Sequence, residues 1–172
     1  MKALVVVDYQ IDFVNGALGF DGAELLEPVI LEKIAKCRKE GGQVIFTLDT
    51  HGENYLDTAE GRKLPIVHCI DGTEGHKLFG KVADAVCEGD IVIKKPSFGS
   101  MELADLLKKC SFDEVELCGL VTDICVISNA VIAKAALPES RIVVDGNACG
   151  TADPEAHKRA LGSMRGVQID VI

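Results

Sequence analysis

Six short runs of β-branched and aliphatic residues, separated by turns and by segments of helical periodicity, constrain this chain more than any other feature. The runs are Ala3 to Val7, Val44 to Leu48, Ile91 to Lys94, the apolar start of Glu114 to Asn129, Arg141 to Val144 and Val167 to Val171. The first is continuous rather than alternating, the pattern of a parallel strand covered on both faces. Helical patterns fall between the runs, from Leu26 to Glu40 with a stop at Gly41-Gly42, Val82 to Val86, Met101 to Cys110, and Pro154 to Met164 with proline in its first turn. Strands alternating with helices imply right-handed crossovers. The predicted fold is therefore three-layer α/β/α around a six-stranded parallel sheet. At 172 residues, 48% of them hydrophobic, the chain fills one such domain spanning residues 1–172.

In sheets of this kind ligands sit beyond the carboxyl ends of the strands. Asp8, Asp49, Lys95 and Cys125 all fall at predicted carboxyl ends, although turn formation, a solvated charge and core packing would explain them one by one. The most informative stretch is EVELCGLVTDICVISN, residues 114–129. Its strand is expected to pass into a turn at Cys118-Gly119-Leu120-Val121, with Thr122 or Asp123 capping the next helix. With Thr122 as the cap, Cys125 takes the third helical position, where the helix dipole favours a thiolate and a free amide can meet an oxyanion. Amide cleavage needs a nucleophile, a proton donor for the leaving amine and oxyanion stabilisation, and these residues offer all three.

The segment from Asp49 to Thr73 is longer than most connections in a compact domain. It carries Asp49-Thr50-His51 and, further on, His68, a mixed oxygen and nitrogen set suited to zinc, iron or manganese; ordinary polar contacts in a long loop are the alternative. The formal charge of −9 disfavours nucleic acid or an anionic membrane as partner and leaves a small molecule. Seven cysteines without a CxxC pair read as reduced thiols. With too short an apolar run at the amino terminus for a signal peptide and no run of membrane-spanning length, a soluble cytoplasmic protein is expected.

Five segments carry a resemblance that spans nearly the whole chain: VVVDYQIDF, DTH, LPIVHCIDGT, KPSFGS and CGLVTDICVISNA. Together they resemble the isochorismatase-like cysteine hydrolases, the family that includes the nicotinamidases, whose fold is Rossmann-like. The resemblance implies Cys125 as nucleophile, Asp8 as proton carrier and Lys95 as its charged partner. Lys95 is preferred to Lys94 because the family's lysine directly precedes a Pro-x-aromatic turn. It further implies a cis Leu120–Val121 peptide, with the amides of Val121 and Cys125 forming an oxyanion hole. A divalent metal, zinc ahead of iron or manganese, would be held by Asp49, His51, His68 and Glu60. In some nicotinamidases a further histidine follows the first, where this chain reads GENYLD; Glu60, before LPIVH, matches the glutamate that serves in other members.

Phe13 and Phe98 are the expected substrate-binding aromatics, with core packing as the alternative for both. Several nicotinamidases also place a tryptophan in the metal loop, and this chain has none. His76 and His157 read as surface or structural, Cys118 and Cys149 as core. The expected activity is cysteine-dependent hydrolysis of a small, nicotinamide-like amide through a thioester, by a homo-oligomer. The alternatives are a hydrolase of a ureido compound, an isochorismatase-type ether hydrolase that has no need of the cysteine, and a non-catalytic binding module on the same fold.

Overall fold

The computed structural model describes residues 1–172. Its centre is one parallel sheet made of β1 (Lys2–Val7), β2 (Gln43–Asp49), β3 (Ile91–Lys95), β4 (Glu114–Leu120), β5 (Arg141–Gly150) and β6 (Asp170–Val171), in the order β3-β2-β1-β4-β5-β6. The chain builds outward from β1 to β3, then returns to place β4 on the other side of β1. The order therefore reverses between β1 and β4, and a crevice opens beyond their carboxyl ends. Val5, Val6, Val7, Ile45, Phe46, Leu117 and Val144 are fully buried in the sheet. Burying such side chains stabilises the fold by about 1.5–3 kcal/mol each.

Helices cover both faces. α2 (Glu27–Lys39) packs with α3 (Gly80–Asp84) on one side, and α4 (Met101–Cys110), α5 (Ile127–Ala136) and α6 (Pro154–Gly166) form the other layer. A single helical turn, α1 (Ile11–Val14), follows β1. α2 turns Ile30 and Ile34 inward and ends at Gly41, where a φ of 72° suits glycine. α4 is capped by Ser100, whose hydroxyl accepts a hydrogen bond from the Leu103 amide at 3.0 Å. No helix is long and apolar enough to cross a membrane.

Four local expectations change. The stretch 118–120 is not a turn: β4 runs through Leu120, and Gly119 is needed there because a Cβ at its φ of 114° would collide with the Val7 carbonyl. β5 continues past Val144 to Gly150 across an irregularity in its pairing with β4, which brings Thr151 and Ala152 to the crevice. β6 is only two residues long, because α6 runs to Gly166 and the Met164 carbonyl then accepts from both Val167 and Ile169. The helix after β4 begins as a π-type turn over Thr122–Val126, with no side-chain cap. The Thr122 hydroxyl is engaged instead with His157 Nδ1, 2.9 Å away on α6.

The candidate active site

Strand ends bring the site together. Asp8 follows β1 with a φ of 45°, a left-handed conformation tolerated by aspartate, and its carboxylate is fully buried. Asp8 Oδ1 accepts a hydrogen bond from the Thr47 hydroxyl at 2.7 Å. Asp8 Oδ2 lies 2.7 Å from Lys95 Nζ, a fully buried ion pair. Lys95, 1% exposed at the end of β3, also reaches Asp49 Oδ1 at 3.2 Å, the Ser97 carbonyl at 2.9 Å and Cys125 Sγ at 3.6 Å. One ammonium thus touches both carboxylates and the thiol.

Burial would lower the Lys95 pKa, but Asp8, Cys125 and Asp49 together hold it well above the usual lysine range. Burial lifts Asp8, and Lys95 acts against that rise. For Cys125 the expected thiolate does not follow. Burial, with Asp8 next to the sulfur, pushes its pKa well above the usual thiol range, and Lys95 offsets only part of this. This environment favours the thiol over the thiolate. A turn dipole does not offset removal of the sulfur from water.

The turn that carries Cys125 is held from several sides. The Leu120–Val121 peptide is cis. The Val121 carbonyl accepts from the amides of Ile124 and Val126 and not from that of Cys125. Asn129, fully buried one helical turn further on, donates to the carbonyls of Cys125 at 2.8 Å and Phe98 at 3.0 Å, and accepts from the Ser100 amide. The turn and the loop after Lys95 are thereby locked to each other.

Beside this cluster, Asp49, His51, Glu60 and His68 present one donor atom each, all within 4.8 Å of one another. His51 Nε2 lies 2.9 Å and His68 Nε2 3.4 Å from Asp49 Oδ2, and both stand 3.8 Å from Glu60 Oε1. A tetrahedral ion with bonds of about 2.1 Å has donor atoms about 3.4 Å apart. The set fits such an ion with small adjustments. His68 supports the fit further: its Nδ1 donates to the Ile66 carbonyl at 2.8 Å, which leaves Nε2 free to face the cluster as a candidate ligand. Burial would raise the Asp49 pKa, but His51, His68 and Lys95 hold it far below the carboxylate range.

Tyr55 packs its ring against both histidines at centroid distances of 4.7 and 4.9 Å, and its hydroxyl donates to the Leu64 carbonyl. Gln10 secures the base of the loop. Its Nε2 donates to the carbonyls of Asp49 and His76, and its Oε1 accepts from the Asp49 amide at 2.7 Å.

A cavity of about 230 Å³ opens over the cluster. Cys125, Val121, Asp49, Glu60 and His68 line it, as do both Phe13 and Phe98. The sequence reading missed Leu18, Phe20, Leu64, Ile124, Thr151 and Ala152 on its walls. Ile124, beside the nucleophile, could have been suspected. Thr151 and Ala152 depend on the unforeseen extension of β5, and Gln10, Thr47 and Asn129 depend on contacts between distant segments. His76 is buried with Thr50 Oγ1 at 2.8 Å, a structural role, and Cys118 and Cys149 are buried in the core.

Residues 2–172 match the isochorismatase domain. An uncharacterized isochorismatase family protein of Bacillus subtilis is 31% identical over 171 residues, covering 93% of this chain and 92% of the relative. Among solved structures, the pyrazinamidase/nicotinamidase of Streptococcus mutans superposes over the full length of both chains with a TM-score of 0.90 at 28% identity. The pyrazinamidase of Pyrococcus horikoshii, solved in complex with zinc, aligns over 99% of this chain and 98% of its own, with a TM-score of 0.87 and 28% identity.

Proposed function

The chain belongs to the isochorismatase family, and from that premise we propose that it hydrolyses the C–N bond of a small, flat amide of the nicotinamide type, with Cys125 as nucleophile. The observation that carries this reading is the meeting of Asp8, Lys95 and Cys125 in one buried cluster on the wall of a small, mainly apolar cavity. In this mechanism Asp8, next to the sulfur, takes the thiol proton as sulfur attacks the carbonyl carbon. The amides of Val121 and Cys125 receive the oxyanion. Asp8 then passes its proton to the departing nitrogen, the C–N bond breaks, and a thioester remains on Cys125. Water, deprotonated by Asp8, cleaves the thioester to the carboxylic acid and restores the thiol. Lys95 holds Asp8 in place and favours its charged form whenever it has given up the proton.

Phe13 and Phe98 would flank the flat body of the substrate. Asp49, His51, Glu60 and His68 would hold a divalent ion, with zinc favoured by the donor set and by the zinc complex of the Pyrococcus relative. Such an ion supplies a coordination position for a substrate heteroatom and a Lewis acid beside the cavity.

Ammonia release from nicotinamide and from a panel of related amides and ureido compounds tests the reading, with mass spectrometry to detect the acyl group on Cys125. Cys125→Ala is expected to keep its fold and lose activity by about a thousandfold or more. Amide hydrolysis at the wild-type rate in that variant would reject covalent catalysis.

A further inference from the structure

We propose that His157 is a positioning residue for the nucleophile: from α6 it fixes Thr122, and through Thr122 the backbone that carries the Val121 and Cys125 amides and the Cys125 thiol. The inference rests on the cysteine reading above, and three observations lead to it. First, the turn Thr122–Val126 has no capping side chain of its own, and its first residue is fully buried. Its hydroxyl meets His157 Nδ1 at 2.9 Å, a bond between side chains 35 residues apart. A buried hydroxyl without that partner would be left unsatisfied. Second, Asp123 Oδ1 is buried on the same turn without a hydrogen-bond partner, and its carboxylate acts on the imidazole across the same seam. Third, the other side chains holding Cys125 act elsewhere: Asn129 on its carbonyl and Lys95 on its sulfur. Only His157 secures the entry of the turn, next to the Val121 amide.

Burial lowers the imidazole pKa, with Asp123 opposing that effect. A neutral ring can either accept from or donate to the threonine hydroxyl. The bond is thus positional, since the ring faces the far side of the turn and neither pairs with the thiol nor lines the cavity.

The test compares wild type with His157→Ala, His157→Asn, Thr122→Val and the double variant His157→Ala/Thr122→Val, in the full chain. kcat and KM for nicotinamide are measured together with thermal midpoints. Each single loss is expected to lower kcat about tenfold with KM within about twofold, as a nucleophile displaced by a fraction of an ångström would do. The double variant should be no slower than the slower single, because both remove one bond. His157→Asn, which can place a polar atom near that of Nδ1, should recover to within about threefold of wild type. If the alanine variant does not fold, Thr122→Val, of nearly unchanged shape, carries the comparison.

Iodoacetamide labelling, followed by peptide mass spectrometry, supplies a readout that needs no turnover. Cys125 in His157→Ala should react several-fold more slowly than in wild type, and exposed Cys87 at an unchanged rate. If wild type does not cleave nicotinamide, the substrate reading fails for that amide and the labelling rates alone decide the proposal. Equal labelling of Cys125 in wild type and variant, unchanged kcat, or single losses that multiply in the double variant would each overturn the role of His157.

Discussion

Lys95 is the residue on which the charge balance of the site depends. Its ammonium stands against Asp8 and Asp49 with none of its side chain exposed. Removing one partner of a buried ion pair leaves an uncompensated charge, so Lys95→Met is expected to lose about 3–5 kcal/mol in a denaturant titration as well as its activity. The loss should also depend on pH. Burial already raises Asp8, and without Lys95 that rise is no longer opposed. A carboxyl whose folded pKa lies above its unfolded one stabilises the fold at pH values below the unfolded pKa, and this contribution disappears as pH rises through the folded pKa. The deficit relative to wild type should therefore be smaller at about pH 5 than at about pH 8; an equal deficit at both would show that Asp8 is not the unbalanced group. The meeting of Asp8, Lys95 and Cys125 was legible in the sequence because each sits in a short motif at a strand end. The upward shift of the Cys125 pKa was not, since burial is a property of the whole neighbourhood. The partner of Thr122 was hidden for the same reason, lying on a helix that forms 35 residues later.

Among the elements, α4 shows what local sequence can settle. Its bounds, Met101–Cys110, are those expected from periodicity, and Ser100 caps it through the Leu103 amide. Ser100→Ala should cost about 0.5–2 kcal/mol. A second effect is expected because the Ser100 amide also donates to Asn129, which holds the turn of Cys125. If fraying of α4 reaches that contact, kcat should fall along with the thermal midpoint; a drop in midpoint with unchanged kcat would show that the two are independent. Where an element's extent depends on partners, the sequence was a weaker guide. β5 is longer and β6 shorter than their apolar runs suggest, because pairing with β4 and the closing bonds of α6 decide those ends. The π-type turn at Thr122 has no local signature either, as its hydroxyl was free to cap and is drawn to His157 instead.

At the scale of the molecule, the β3-β2-β1-β4-β5-β6 order puts the switch between β1 and β4 beside both the Asp8–Lys95–Cys125 cluster and the four residues that could hold an ion. An ion bound only by the folded chain stabilises it by mass action, by about 2.7 kcal/mol at a hundred times its dissociation constant. Zinc added to metal-free protein should therefore raise the thermal midpoint, a chelator should reverse the rise, and Glu60→Gln should weaken it. A midpoint indifferent to zinc would remove Asp49, His51, Glu60 and His68 as ligands. The three-layer architecture was legible because strand and helix periodicities alternate over the whole chain; the long loop's path was not, since it is set by Gln10 and by Asp12, which accepts from the Cys69 amide. The strand order also has a consequence for the order in which the site is assembled. Asp8, Asp49, His51, Glu60, His68 and Lys95 all belong to the first three strands and their connections, whereas the sulfur arrives only after β4, whose Gly119 must pair with Val7 more than a hundred residues back. Closing so long a loop is the slow, non-local step of such topologies. Cys125 can therefore meet Asp8 and Lys95 only once β4 has paired with β1, so the proposed chemistry waits on the joining of the two halves of the sheet.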